Sequence, residues 1–88
     1  MLLAIDIGNT NITLGAYDND VLSFTARLAT VHGTTYDQYA VEIKNILELH
    51  GLNAHQIEDC IVSSVVPSVG GAVCNAVSLL CDIFLLLS

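Results

Sequence analysis

The sequence predicts a single α/β domain, on three observations: an apolar opening strand that runs into a glycine turn, alternating strands directly after it, and two helical periodicities separated by a further apolar strand. Leu2, Leu3, Ala4 and Ile5 suit a buried first strand. Gly8 allows a sharp turn, and Ile12 to Tyr17 resumes as a second strand. The Asp-Asn-Asp turn at Asp18 to Asp20 leads to a third strand, Val21 to Leu28, which makes the opening a three-strand meander.

The first helix is expected from about Tyr36 to His50. Tyr36, Tyr39, Ala40, Ile43, Ile46, Leu47 and His50 fall at helical spacing on one stripe. Thr35 with Gln38 three residues later is a capping-box pattern, and Gly51 is a C-terminal stop. Gln38, Glu42, Lys44, Asn45 and Glu48 lie on the other faces and read as a solvated surface. A further strand follows this helix in the coarse pattern. The second helix starts after Pro67, near Ser68, with Val69, Val73, Ala76, Val77, Leu80 and Cys81 on its buried side. Gly70 and Gly71 weaken its start by about 1 kcal/mol each relative to alanine; close packing or ligand approach would account for them, and relaxed packing is the commoner reason. Ile83 to Leu87 is a short apolar run fit for a fifth strand.

Chemistry concentrates in Asp6-Ile7-Gly8-Asn9-Thr10-Asn11, a strand end running into a phosphate-sized turn. Asn9, Thr10, Asn11 and Thr13 supply side-chain donors beside backbone amides. A carboxylate facing a phosphate repels it unless a divalent cation stands between them, so Asp6 implies Mg²⁺, a hard ion held by oxygen ligands. No GxxxxGK[ST] motif occurs, so amides and metal must carry the phosphate charge. The plainer reading is a β-turn rich in Gly and Asn, with Asp6 as a solvated strand end.

Composition narrows the partners. The chain is 53% hydrophobic with 12% charged residues, as in a soluble α/β domain. Two basic residues, Arg27 and Lys44, against nine acidic ones give a net charge of −7, which argues against nucleic acid or an anionic membrane as ligand. Cys60, Cys74 and Cys81 are odd in number and lack CxxC spacing, so reduced core thiols are expected, with Cys74 and Cys81 on one buried stripe. His32, His50 and His55 are scattered and read as structural. Asp6 interrupts the opening apolar run and no basic segment precedes it, so no signal peptide is expected. The stretch from Val77 to Leu87 is broken by Asp82 and falls short of the roughly 18–20 residues a membrane span requires. The expected location is the cytoplasm.

The hexapeptide at positions 6 to 11, preceded by Met-Leu-Leu-Ala-Ile, resembles the amino-terminal phosphate-binding motif of the type III pantothenate kinases, a branch of the acetate and sugar kinase/heat-shock-70/actin superfamily. Arg27-Leu28-Ala29-Thr30 with Asp37-Gln38-Tyr39 resembles the family's segment after the third strand. Ile61-Val62-Ser63-Ser64-Val65-Val66-Pro67 resembles its fourth strand and the following turn. Members usually carry a basic residue near Thr34, where this chain reads Val31-His32-Gly33-Thr34.

The resemblance implies a ribonuclease-H-like unit (three-strand meander, then helix-strand-helix-strand), residues 1–88 being one half of an actin-like two-domain kinase whose second half is absent. A domain of this size buries only about 60–65% of its unfolded surface and is marginal alone. The implied activity is ATP-dependent phosphorylation of pantothenate to 4'-phosphopantothenate, the first step of coenzyme A biosynthesis. Asp6, Gly8, Asn9, Thr10, Asn11 and Thr13 would bind the ATP phosphates, and Asp6 would bind Mg²⁺. In the family the acceptor-activating aspartate follows a Gly-Ala pair in the second half, and the monovalent cation (K⁺ or NH₄⁺) binds there. Gly71-Ala72 is followed by Val73 and cannot stand in, so the chain alone is expected to have little or no kinase activity. The intact family resembles homodimers.

Three other classes compete: a non-catalytic binding or regulatory remnant of the fold, a two-metal nuclease, and a truncated frame that never folds alone. The nuclease needs acids on the first strand, first helix and fourth strand, and here the fourth strand ends in Ser63-Ser64.

Overall fold

A computed structural model describes residues 1–81 and the backbone of Phe84–Leu87. The chain forms β1 (Leu2–Ile7), β2 (Asn11–Asp18), β3 (Val21–Ala29), α1 (Tyr36–Leu49), a 3-10 turn (Ala54–Gln56), β4 (Asp59–Ser64), α2 (Pro67–Leu80) and β5 (Phe84–Leu87). The expected element order is observed, with the 3-10 turn added. Ile83, the expected start of the fifth strand, lies outside the described residues.

The strands make one five-stranded sheet in the order β3-β2-β1-β4-β5. β1–β2 and β2–β3 are antiparallel, whereas β1–β4 and β4–β5 are parallel. Antiparallel neighbours need only tight turns, supplied by Asn9-Thr10 and by Asn19-Asp20, where Asn19 takes φ 55°. The parallel pairing of β4 with β1 requires the long crossover through α1.

Side-chain alternation assigns the two faces of the sheet. Leu3, Ile5 and Ile7 of β1, Ile12, Leu14 and Ala16 of β2, Phe24 of β3, and Cys60 and Val62 of β4 are buried in one core with Tyr39, Ala40, Ile43 and Leu47 of α1 and Val69, Val73, Ala76 and Val77 of α2. Fully burying one such large aliphatic side chain stabilises the fold by about 1.5–3 kcal/mol. Both helices therefore lie on the same face. The opposite face carries Ala4, Asp6, Thr13, Gly15, Thr25, Arg27, Ile61 and Ser63, and no helix among the described residues covers it. No helix among the described residues is long and apolar enough to cross a membrane.

The ends of α1 follow from its sequence. The Gln38 amide donates to the Thr35 hydroxyl at 3.2 Å, the N-terminal cap. At the other end the Gly51 amide donates to Glu48 and the Leu52 amide to Leu47, a Schellman closure with Gly51 at φ 78°. Tyr36, expected on the buried stripe, is 46% exposed because it opens the helix one turn before Tyr39, the first residue to reach the core. His50 is exposed as well, its ring stacked on Phe24 with centroids 4.1 Å apart. Ile46 and Leu80 are half-buried at the rim of the core.

α2 begins at Pro67 itself, the first helical position, where a missing amide costs nothing. Gly70 packs against β4 so closely that a Cβ there would lie 2.9 Å from the Ser64 Cβ. Gly71 faces open space, so close packing explains one glycine of the pair and not the other. Cys60 and Cys81 are buried and Cys74 half-buried, all three as free thiols. Burial, with smaller contributions from Cys81 and Cys74, pushes the Cys60 thiol from 9.0 up to about 12.

Candidate phosphate-binding site

The turn between β1 and β2 is closed by its own backbone. The Gly8 amide donates to the Asn11 carbonyl at 2.9 Å, so it is spent on the hairpin and is not a ligand donor. Gly8 makes the turn without a positive φ. It is small because a Cβ would stand 3.3 Å from the Asn11 carbonyl oxygen. Asn9, Thr10 and Asn11 are exposed at the tip, and the Asn11 amide group donates to the Thr10 hydroxyl at 3.2 Å.

The end of β3 holds the turn from behind. The Thr30 amide donates to the Thr10 carbonyl and the Thr30 hydroxyl to the Gly8 carbonyl, both at 2.9 Å. The carboxyl end of β4 lies alongside, with the Val65 amide donating to the Ile7 carbonyl at 3.1 Å. The β3–α1 loop is fixed around the Val31 carbonyl, which accepts from the Thr34 hydroxyl at 2.9 Å and from Tyr39 at 3.2 Å. Thr34 thus closes the loop on itself.

Strand register aligns the polar side chains into one row. Asp6 pairs with Thr13 on β2 and with Ser63 on β4, and Thr13 pairs with Arg27 on β3. The row Arg27, Thr13, Asp6, Ser63 crosses the sheet on its uncovered face, every member exposed. Beside it a cavity of about 270 Å³ is lined by Asp6, Thr13 and Ser63 together with Ala4, Gly15 and Ile61. Ser64 points the other way, its hydroxyl donating to the Val66 carbonyl and accepting from the Val66 amide within the turn into α2.

Of the six residues selected from the sequence, Asp6 and Thr13 are cross-strand partners on the row, Gly8, Asn9 and Thr10 form the turn beyond it, and Asn11 opens β2. The sequence marks none of Arg27, Thr30 and Ser63 as a site residue. Alternation counted back from Leu28 and Val62 would have put Arg27 and Ser63 on the face of Asp6, but the register that aligns them needed the fold.

The donor set fits Mg²⁺. This ion binds through one or two carboxylates and keeps several waters, and Asp6 is an exposed carboxylate flanked by two hydroxyls and, among the described residues, not tied up in an ion pair. Among the described residues no three of His, Cys, Asp and Glu come together, and the β4 position beside Asp6 is a serine. The row therefore lacks the second carboxylate that two-metal nuclease chemistry would place there.

The fold is shared with solved structures. It resembles a ROK hexokinase from Thermus thermophilus with a TM-score of 0.67 over 99% of this chain and 32% of that one, at 14% identity. It resembles RuvC from the same organism with a TM-score of 0.58 over 98% of this chain and 63% of that one, also at 14% identity. At such identity the likeness speaks to the fold, the ribonuclease-H-like arrangement expected from sequence.

The sequence comparisons are more specific. A type III pantothenate kinase of Syntrophotalea carbinolica is 48% identical over 67 residues, which is 76% of this chain and 26% of that protein. One of Geotalea uraniireducens is 44% identical over 72 residues, 82% of this chain and 28% of that protein. The chain thus spans about a quarter of the length of these curated relatives. The family model for type III pantothenate kinase matches residues 2–87, from the first strand through the last, and the chain belongs to that family.

Proposed function

We propose that this chain supplies the phosphate-binding half of a kinase that transfers the terminal phosphoryl group of ATP to pantothenate, giving 4'-phosphopantothenate for coenzyme A biosynthesis. The observation that carries this reading is the pairing of Asp6 with Thr13 immediately below an exposed Asn9-Thr10-Asn11 turn. Asp6 and Thr13 would hold Mg²⁺ and its waters, and the turn would orient the phosphate oxygens through its amides and side chains. Bound there, Mg²⁺ neutralises charge on the phosphates. The acceptor-activating aspartate and the monovalent cation site (K⁺ or NH₄⁺) belong to a second half, and the working enzyme is a cytoplasmic homodimer.

Calorimetric titration of the purified chain with Mg-ATP, repeated with Asp6→Asn, tests this. Binding that weakens tenfold or more in the variant is the expected result. A chain shown by cooperative thermal unfolding to be folded, yet unable to bind Mg-ATP, would overturn the reading in favour of a non-catalytic remnant of the fold.

A further inference from the structure

The chain holds only two basic side chains against nine acidic ones, and the structure separates them sharply. Lys44 sits on the solvated side of α1, 3.8 Å from Glu48. Arg27 sits on the uncovered face of the sheet, in the same cross-strand row as Asp6, with Thr13 between them. Among the described residues it has no ion-pair partner. Its same-face neighbours along β3 are Thr25 and Ala29, so no carboxylate adjoins it.

Resting on the phosphate-site reading above, we infer that Arg27 is a second anchor for the phosphate chain, gripping from the β3 side a phosphoryl group whose bound cation is held from the β1 side by Asp6. Strands lie roughly 4.8 Å apart, so the Asp6 and Arg27 backbones, two strands removed, are about 10 Å apart. That gap suits a phosphoryl group with its cation, over the small Thr13. A guanidinium presents a planar fork of donors to phosphate oxygens, which a surface this acidic otherwise lacks. Ser63, on the far side of Asp6, offers a hydroxyl to the same row. The competing role for Arg27 is that of a charge on the edge strand β3 that discourages pairing with another sheet.

The test titrates Mg-ATP and Mg-tripolyphosphate into the wild-type chain and into Arg27→Gln, Arg27→Lys, Lys44→Gln and Asp6→Asn, each checked for an unchanged circular dichroism spectrum. Arg27→Gln should weaken both ligands tenfold or more, Arg27→Lys should recover part of the loss, and Lys44→Gln, the control for net charge, should stay within twofold. Loss in Asp6→Asn with Arg27→Gln within twofold of wild type would overturn the Arg27 assignment and leave the hairpin site standing. Equal losses in Arg27→Gln and Lys44→Gln would overturn it too, as a general charge effect. Failure of the wild-type chain to bind either ligand would remove both readings together.

Discussion

The Thr30 hydroxyl donates to the Gly8 carbonyl at 2.9 Å, joining the end of β3 to the β1–β2 turn across 22 positions of sequence. With the Thr30 amide bound to Thr10, one residue braces both sides of the turn proposed above to orient the phosphate. Thr30→Val keeps the shape and removes the side-chain bond. It should lower stability by about 1 kcal/mol, read by urea denaturation, and weaken Mg-ATP several-fold while Asp6 is untouched. Unchanged affinity would show that the turn needs no brace.

Gly70 and Gly71 are adjacent in sequence and opposite in environment. A methyl group on Gly70 would meet Ser64 at 2.9–3.0 Å, whereas one on Gly71 meets nothing within 4 Å. Gly70→Ala should cost about 1–3 kcal/mol through overpacking, despite the better helix propensity of alanine. Gly71→Ala should stabilise by about 0.5–1 kcal/mol. Thermal midpoints moving in the same direction would refute the assignment of α2 packing.

Gly51 ends α1 at φ 78°. Gly51→Ala forces an alanine into the left-handed region and should destabilise by about 1 kcal/mol. Gly51→Asn, which tolerates that region, should cost less, and the difference between the two melting curves is the measurement.

The buried Cys60 thiol, raised from 9.0 to about 12, makes stability depend on alkaline pH. The folded chain keeps its proton where the unfolded chain loses it, so this contribution is full below pH 9.0 and is lost as pH rises toward about 12. Burial pushes Cys74 and Cys81 in the same direction. The denaturation midpoint should therefore fall across that window, and Cys60→Ala should flatten the fall. In the native state Cys60 should resist thiol reagents at pH 8 that label the unfolded chain within minutes.

Local chemistry in the sequence determined the order of elements, the Thr35 cap, the Gly51 stop, the start of α2 to within a residue of Pro67 and the turn after Asp6, because each depends on residues within a few positions of one another. The hairpin residues were legible for the same reason, since the turn and the donors that surround it are contiguous. Where a residue's place depended on distant segments, only the tertiary structure decided. Tyr36 fits the helical stripe but lies a turn outside the core, and Gly70 is small because β4 passes beside it. Arg27 and Ser63 lie 21 and 57 positions from Asp6, yet strand register sets them in line with it. A one-residue slip would have turned them to the other face, and nothing local forbids that slip. The buried alternation of Ile5, Leu14 and Val62 against the helices forbids it, and so the same packing that makes the core also assembles the row.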